Sequence, residues 1–238
     1  MNLQIIFAII RKQWKDTIKN KSILIQFLMF PIICIVLTSS VSSVEIPGIY
    51  FVILFATMYV GMAPIIIMAS IMSEEKEQGS LRMMIMSNVK PVEYMIGVGT
   101  LVFLCCLIGT LIMGITGGYQ GMELLSFMEI CSLGLLISLL LGSIIGILSK
   151  NQMAANSLSV PAMLICSFVP MLSMFNQNIK TFGQWLYTQQ INDILTNLST
   201  HPFPTQSILI ILANLVVLYK NLWKKKFIVI VSLYVKML

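Results

Sequence analysis

The sequence predicts an all-α membrane protein of six transmembrane helices, with an amphipathic interfacial helix at its N-terminal end and a short cytoplasmic helix between spans two and three. Three observations predict it. Hydrophobic residues make up 58% of the 238 positions and charged residues only 10%. A soluble domain carries roughly 25% charged residues, so this chain cannot cover a water-facing surface. Six runs approach or exceed the about 20 mostly apolar residues that a spanning helix needs, and the basic residues fall almost entirely on one side of the membrane that those runs define.

The six runs are Ile23–Val41, Ile46–Met72, Val92–Gly117, Phe127–Leu148, Met153–Phe175 and Thr205–Lys220. The last is short and carries Asn214 mid-span, and its start can reach back toward Pro202. Of the 15 basic residues, 13 lie in the N-terminal segment (Arg11, Lys12, Lys15, Lys19, Lys21), between spans two and three (Lys76, Arg82, Lys90), after span four (Lys150) and after span six (Lys220, Lys224, Lys225, Lys226). Only Lys180 lies on the opposite side, and Lys236 is in the tail. Cytoplasmic loops carry the excess of Lys and Arg, so both termini are predicted in the cytoplasm of a multi-pass protein of the cell (inner) membrane. The net charge of +6 is therefore a topology signal and an attraction to anionic membrane lipid, and no nucleic-acid partner is predicted.

Three units follow along the chain. Residues 1–22 form an interfacial helix. Leu3, Ile6, Phe7, Ile10, Trp14 and Ile18 recur at helical spacing while Arg11, Lys12, Lys15 and Lys19 gather toward the far end. Such a helix is predicted to lie in the membrane plane, with Trp14 at headgroup depth. It is not read as a signal peptide, because its basic residues follow the apolar stretch. Residues 23–220 hold the six spans, and 221–238 form a basic and apolar tail. Phe227–Leu238 would reach only about 18 Å as a helix, short of the roughly 30 Å hydrocarbon core, so it is predicted to be peripheral. The cysteines (Cys34, Cys105, Cys106, Cys131, Cys166) all lie in apolar runs with no CxxC pair, and are read as small buried hydrophobes.

The stretch Ser73–Glu93, SEEKEQGSLRMMIMSNVKPVE, concentrates Glu74, Glu75, Glu77 and Glu93 with three basic residues on the cytoplasmic side. Gly79 breaks the outgoing helix, Ser80 is a natural N-cap, and Leu81, Met84 and Ile85 form one apolar stripe with Arg82 beside it. Pro91 suits the first turn of the next span. The product is a short amphipathic helix held between two spans, either a knob that a partner grips or a loop that only fixes topology.

Glu75-Lys76-Glu77-Gln78-Gly79-Ser80-Leu81-Arg82, followed by Pro91 and an apolar span, resembles the E-K/R-E-x-G-T/S-L motif of ABC-2 type transporter permeases, which lies between the second and third of six spans. The N-terminal helix over Met1–Asn20 and the outer segment Asn176–Pro204 extend the resemblance over nearly the whole chain. It implies a half-transporter that pairs with a second permease subunit and docks its coupling helix, Glu75 through Ile85, into a separate ATP-binding subunit. ATP and Mg would belong to that partner. No cofactor and no metal are predicted here, since no G-x-x-x-x-G-K-[ST] phosphate loop occurs in the sequence. No catalytic residue is assigned to this chain. The short sixth span and apolar tail depart from the family pattern.

Gly134, Ser138, Gly142 and Gly146 occupy every fourth position of span four, a ridge that lets another helix approach closely, within this chain or across a dimer seam. Pro31, Pro64, Pro161 and Pro170 fall inside spans one, two and five, where neighbours must satisfy the carbonyls they free. Span five opens with Asn151, Gln152, Asn156, Ser157 and Ser159. Polar groups in lipid are costly, so Asn156 and Ser157 are candidates for a transport pathway, with service as plain helix-packing polar residues the other reading. The 18 methionines suit either adaptable contact with a hydrophobic or amphipathic substrate (drug, antimicrobial peptide or lipid-like) or simple lipid-facing filler. In Asn176–Pro204, Tyr187, Ile191, Ile194, Leu195 and Leu198 form a helical stripe near Trp185, predicted to lie on or dip into the outer leaflet. The resemblance implies re-entrant helices there. His201 lies in a Pro-rich turn and is read as a loop residue.

Two other classes fit less well. An intramembrane protease needs carboxylates and usually a histidine converging within the bilayer, whereas Glu74 and Glu75 lie beyond a helix end and His201 is on the other face. A channel or ion-coupled carrier places ionisable groups mid-membrane, and the spans hold essentially none. The orientation is directly testable. With native cysteines removed, a cysteine at position 80 should react with an impermeant thiol reagent only in opened cells or inverted vesicles, and labelling from outside intact cells would reverse the topology.

Overall fold

The computed structural model describes residues 2–41, 48–87, 89–198 and 205–235, with side chains to Leu222 apart from those of residues 41 and 85. Ten helices follow in order: α1 Leu3–Lys19, α2 Lys21–Val41, α3 Gly48–Glu77, α4 Ser80–Met86, α5 Pro91–Thr116, α6 Gly121–Leu148, α7 Gln152–Ser173, α8 Gln177–Gly183, α9 Tyr187–Thr196 and α10 Thr205–Val235. No strand occurs among the described residues. Six of the helices are long and apolar enough to cross a membrane, namely α2, α3, α5, α6, α7 and the Thr205–Leu222 part of α10.

α3 is the central post, packing against α6, α7, α2, α5 and α9. Its apolar residues are spread around the helix, as expected of one surrounded by protein, and Val52, Ala56, Tyr59, Val60, Ile65, Ile67 and Ala69 are fully enclosed. α2 and α10 lie at the periphery, and Ile25, Ile32, Val36, Leu209 and Val217 face outward.

Prolines position these contacts. A proline inside a helix removes the donor that would serve the carbonyl four residues earlier, and in an apolar medium that carbonyl needs another partner. Pro31 in α2 frees the Phe27 carbonyl, and the Tyr59 hydroxyl of α3 donates to it at 3.2 Å. Gly109 of α5 leaves room for that ring, since a Cβ there would stand 2.6 Å from the hydroxyl. Pro64 in α3 frees the Val60 carbonyl, and Ser138 Oγ of α6 donates to it at 2.6 Å. Pro170 in α7 frees the Cys166 carbonyl, and Gly61 of α3 packs directly on it, a Cβ at Gly61 falling 2.9 Å from that oxygen.

The small-residue ridge of α6 lies along α3 within the chain. A Cβ on Gly142 would stand 2.7 Å from the Ile65 carbonyl oxygen, and one on Gly146 would meet Met72. Gly134 accommodates Val60 and Ile191 of α9. Ser138, in the same ridge, also shares a 2.7 Å hydrogen bond with the Tyr187 hydroxyl of α9.

Several boundaries differ from those predicted. α3 runs to Glu77, five residues past Met72, and α6 starts at Gly121, ahead of Phe127, because polar first and last turns extend a helix beyond its apolar run. The start predicted at Ile46 lies outside the described residues. α10 continues without a break across the 220/221 boundary to Val235, so residues 227–235 prolong the last helix. No proline or glycine follows Pro204 to stop it. At 31 residues it is about 46 Å long, more than the hydrocarbon core. Only Asn20 separates α1 from α2. Its backbone N–H closes α1 onto Asp16 and Thr17, and its side chain accepts from Ser22 N at 3.2 Å.

The Pro31–Tyr59 pairing can be tested by a double-mutant cycle in detergent. Tyr59→Phe alone should lower stability by about 1 kcal/mol, because the Phe27 carbonyl loses its donor. In a Pro31→Ala background, where the backbone N–H of residue 31 supplies that donor, the cost of Tyr59→Phe should fall by half or more. Equal costs in both backgrounds would disprove the pairing.

Candidate functional site

Two places bring polar groups together: the C-terminal end of α3 and, at the opposite end of the bundle, the α8–α9 hairpin. α3 ends where Gly79 adopts φ +73, a conformation that closes a helix readily only with glycine. The Gly79 carbonyl then accepts from Met83 N at 3.2 Å and opens α4. Gly79 therefore holds the cap position predicted for Ser80, which is already the first residue of α4.

The triplet Glu75-Lys76-Glu77 at the foot of α3 reaches three other helices. Glu75 is buried, 6% exposed, and forms an ion pair with Lys12 of α1, which also meets Asp16 at 3.5 Å. Tyr94, from the first turn of α5, is buried nearby, its hydroxyl without a hydrogen-bond partner among the described residues. Lys76 Nζ donates to the carbonyls of Gly146, Ile147 and Ser149 at 3.0, 2.6 and 2.7 Å, closing the C-terminal end of α6, where a cation is favoured. Glu77 Oε2 accepts from Gln152 N at 3.0 Å, at the N-terminus of α7, where an anion is favoured. Asn151 caps the same end by accepting from Ala154 N, and Gln152 Nε2 donates to Ser70 Oγ at 3.0 Å.

Glu93 completes the cluster. It accepts from Lys90 N at 3.2 Å, behind Pro91, and from Asn2 N at 2.7 Å, so it closes the start of α5 and fastens the entry to α1. Of Glu75 and Glu77, Glu75 alone pairs with a basic side chain among the described residues. Glu77 takes a backbone N–H instead, since the nearest positive end is a helix terminus.

On α4, Leu81 and Met84 are half-buried and pack against the chain's own core. Arg82, Met83 and Met86 are exposed. The side chain of Ile85 lies outside the described residues. The inward turn follows from the short link: with only Gln78 and Gly79 between α3 and α4, the nearest apolar side chains fold back onto the helix they leave.

At the opposite end of the bundle, α8 packs beside α7 and α9 returns, buried among α3, α6, α7 and α10. Tyr187, Ile191, Ile194, Leu195 and Leu198 are enclosed by protein, whereas the stripe was predicted to face the leaflet. Thr188, Gln189 and Asn192 are buried with them. The connecting turn is held by Asn214 of α10, whose Nδ2 donates to the Trp185 carbonyl at 3.1 Å. That contact accounts for the polar residue in the last span. Asp193 is the one carboxylate of α9; burial pushes it above the usual range, opposed by the hydrogen bond from Gln189 and by Lys180. His201 lies outside the described residues.

Asn156 and Ser157 are exposed on α7, facing away from the bundle, and Ser157 Oγ turns back to the Met153 carbonyl at 3.0 Å. On α1, Ile6 and Ile9 pack against α5, where Gly97 receives Ile9, while Leu3, Phe7, Trp14 and Ile18 are exposed. From the sequence, Lys12 counted only as a topology charge and Lys76 as that and as a member of the motif, while Tyr94 and Asn2 were passed over. The proximity of Glu93 to Lys90-Pro91, the pattern of a reciprocal cap, was the one local signal available.

No curated protein matches the chain. Residues 38–234 match the family described as ABC-2 family transporter protein. That match runs through all of α3 to α9, nearly all of α10 and the last turn of α2, and includes the Glu75–Lys76–Glu77 cluster, so the chain belongs to the ABC-2 transporter family and is the membrane-spanning permease component of an ABC transporter.

Proposed function

We propose that this permease is the transmembrane subunit of an ATP-driven exporter for a hydrophobic or amphipathic substrate, with α4 as its coupling helix and ATP hydrolysed on a separate subunit. The observation that carries this reading is the root of α4. Glu75, Lys76 and Glu77 fasten it to α1, α6 and α7 at once, so displacement of α4 is passed to three elements and not absorbed in a loop. The surface offered to the ATP-binding subunit is Arg82, Met83 and Met86. Among the described residues none of these has a tertiary partner, and methionine adapts readily to a partner surface.

Two permease subunits form the transporter, meeting across the outer face of α7. Asn156 and Ser157 lie there among exposed Leu158, Val160, Leu164 and Ile165. Polar side chains turned to lipid are costly, and a second subunit with a pathway between the two would cover them. The orientation places α4 and both termini in the cytoplasm, following the distribution of basic residues.

The docking face is tested by copurification. Burying a methionine contributes roughly 1.5–3 kcal/mol, so Met83→Asp and Met86→Asp should each weaken capture of the ATP-binding subunit by about 10-fold or more. Glu77→Gln should leave capture intact and lower transport, because the start of α7 loses its anion. If both methionine variants copurify and transport normally, α4 is a topological loop.

A second measurement addresses the energy source. The purified chain should show no ATP turnover of its own, and turnover persisting after contaminating ATPases are excluded would refute the assignment of hydrolysis to a partner. Lys76→Met should also lower thermal stability by about 1–3 kcal/mol, since three carbonyls at the end of α6 lose their donor.

A further inference from the structure

Outside the coupling cluster, an unassigned crevice of about 570 Å³ lies between α1 and α5. Gly97 allows Ile9 to sit directly on α5, which draws α1 under the lower part of that helix and leaves its outer face as a shelf. Trp14 and Arg11 edge the shelf, and Leu104, Ile108, Leu111 and Met128 form the wall. From Leu101 to Leu111 the wall follows ten residues of α5, about 15 Å, which is half of the roughly 30 Å hydrocarbon core and so the depth of one leaflet.

Among the described residues, Arg11 is the sole charged one lining this crevice. Among the described residues it has no acidic partner, since Asp16 and Glu75 are both engaged by Lys12 on another side of α1. Lys15 follows one turn later and is exposed. A guanidinium at the mouth of an apolar groove matches a phosphate above an acyl chain, with an indole at headgroup depth beside it. We infer that this crevice seats an anionic phospholipid of the cytoplasmic leaflet, its phosphate on Arg11 and one acyl chain lying along α5. The inference rests on the cytoplasmic placement of α1, which the labelling at position 80 tests independently.

The test is native mass spectrometry of the purified chain in neutral detergent, titrated with phosphatidylglycerol or phosphatidylcholine of the same acyl composition, with glycerol phosphate as a chain-free control. The wild-type chain should prefer phosphatidylglycerol by roughly 5-fold, the scale expected for one basic residue near an anionic headgroup, and glycerol phosphate should not compete. Arg11→Gln should abolish the preference while phosphatidylcholine binding persists. Ile108→Trp, which fills the groove, should weaken both lipids, and Lys19→Gln, a basic residue outside the crevice, should change neither. Equal binding of the two lipids by the wild-type chain, or an undiminished preference in Arg11→Gln, would overturn the assignment. Competition by glycerol phosphate would identify a free-phosphate site instead and equally overturn it.

Discussion

In hydrocarbon a backbone carbonyl without a donor has no water to turn to, and the packing of this permease is organised around that constraint. Its central spans contain prolines, each of which strands one carbonyl, and for Pro31, Pro64 and Pro170 the stranded group becomes a point of attachment. Phe27 receives the Tyr59 hydroxyl, Val60 receives Ser138, and the Cys166 oxygen is covered by the bare backbone of Gly61. Each contact joins two different helices, so α2, α6 and α7 are all registered against α3. A helix without these prolines would satisfy itself and could slide along its neighbours. The defects fix the register.

At the end of the bundle that carries α4 the same need is met by charge. Helix termini expose backbone groups that the helix cannot pair, and here side chains of one short stretch serve the termini of other helices: Lys76 for the end of α6, Glu77 for the start of α7 and Glu93 for the start of α5. Charges that look like a solvated loop in the sequence are thus mostly engaged inside the chain. This division leaves α4 with a narrow free surface, and the exposed methionines on it contrast with the fixed groups around its root.

Much of this was legible in the sequence, for definable reasons. The spans could be read because hydropathy over about 20 residues is a strong signal, and the Glu-Lys-Glu stretch stood out as the densest charge in an apolar chain. The ridge from Gly134 to Gly146 was recognisable by spacing, though its partner was not, because two helices share a seam only in three dimensions. The inward turn of Leu81 and Met84 was hidden: a seven-residue helix shows which residues share a face, not which face its anchors turn inward. The burial of α9 was hidden likewise. A stripe of apolar residues reads the same whether lipid or protein covers it, and the clue lay in the polar Thr188, Gln189 and Asn192 on its other sides, which lipid would not tolerate. Asn214 looked like a flaw in the last span until its partner, the Trp185 carbonyl, was in view.

Ser138 stands near the middle of α6, joined at once to the Val60 carbonyl of α3 and to Tyr187 at the head of the α9 helix. Placed there, one hydroxyl closes a node of three helices: its proton goes to the carbonyl, and its oxygen is left to accept from the phenol. Loss of that one atom would strand a carbonyl and a phenol together in a buried place, so α6 would loosen from α3 and from α9 in a single step, and neither contact could be weakened there without the other.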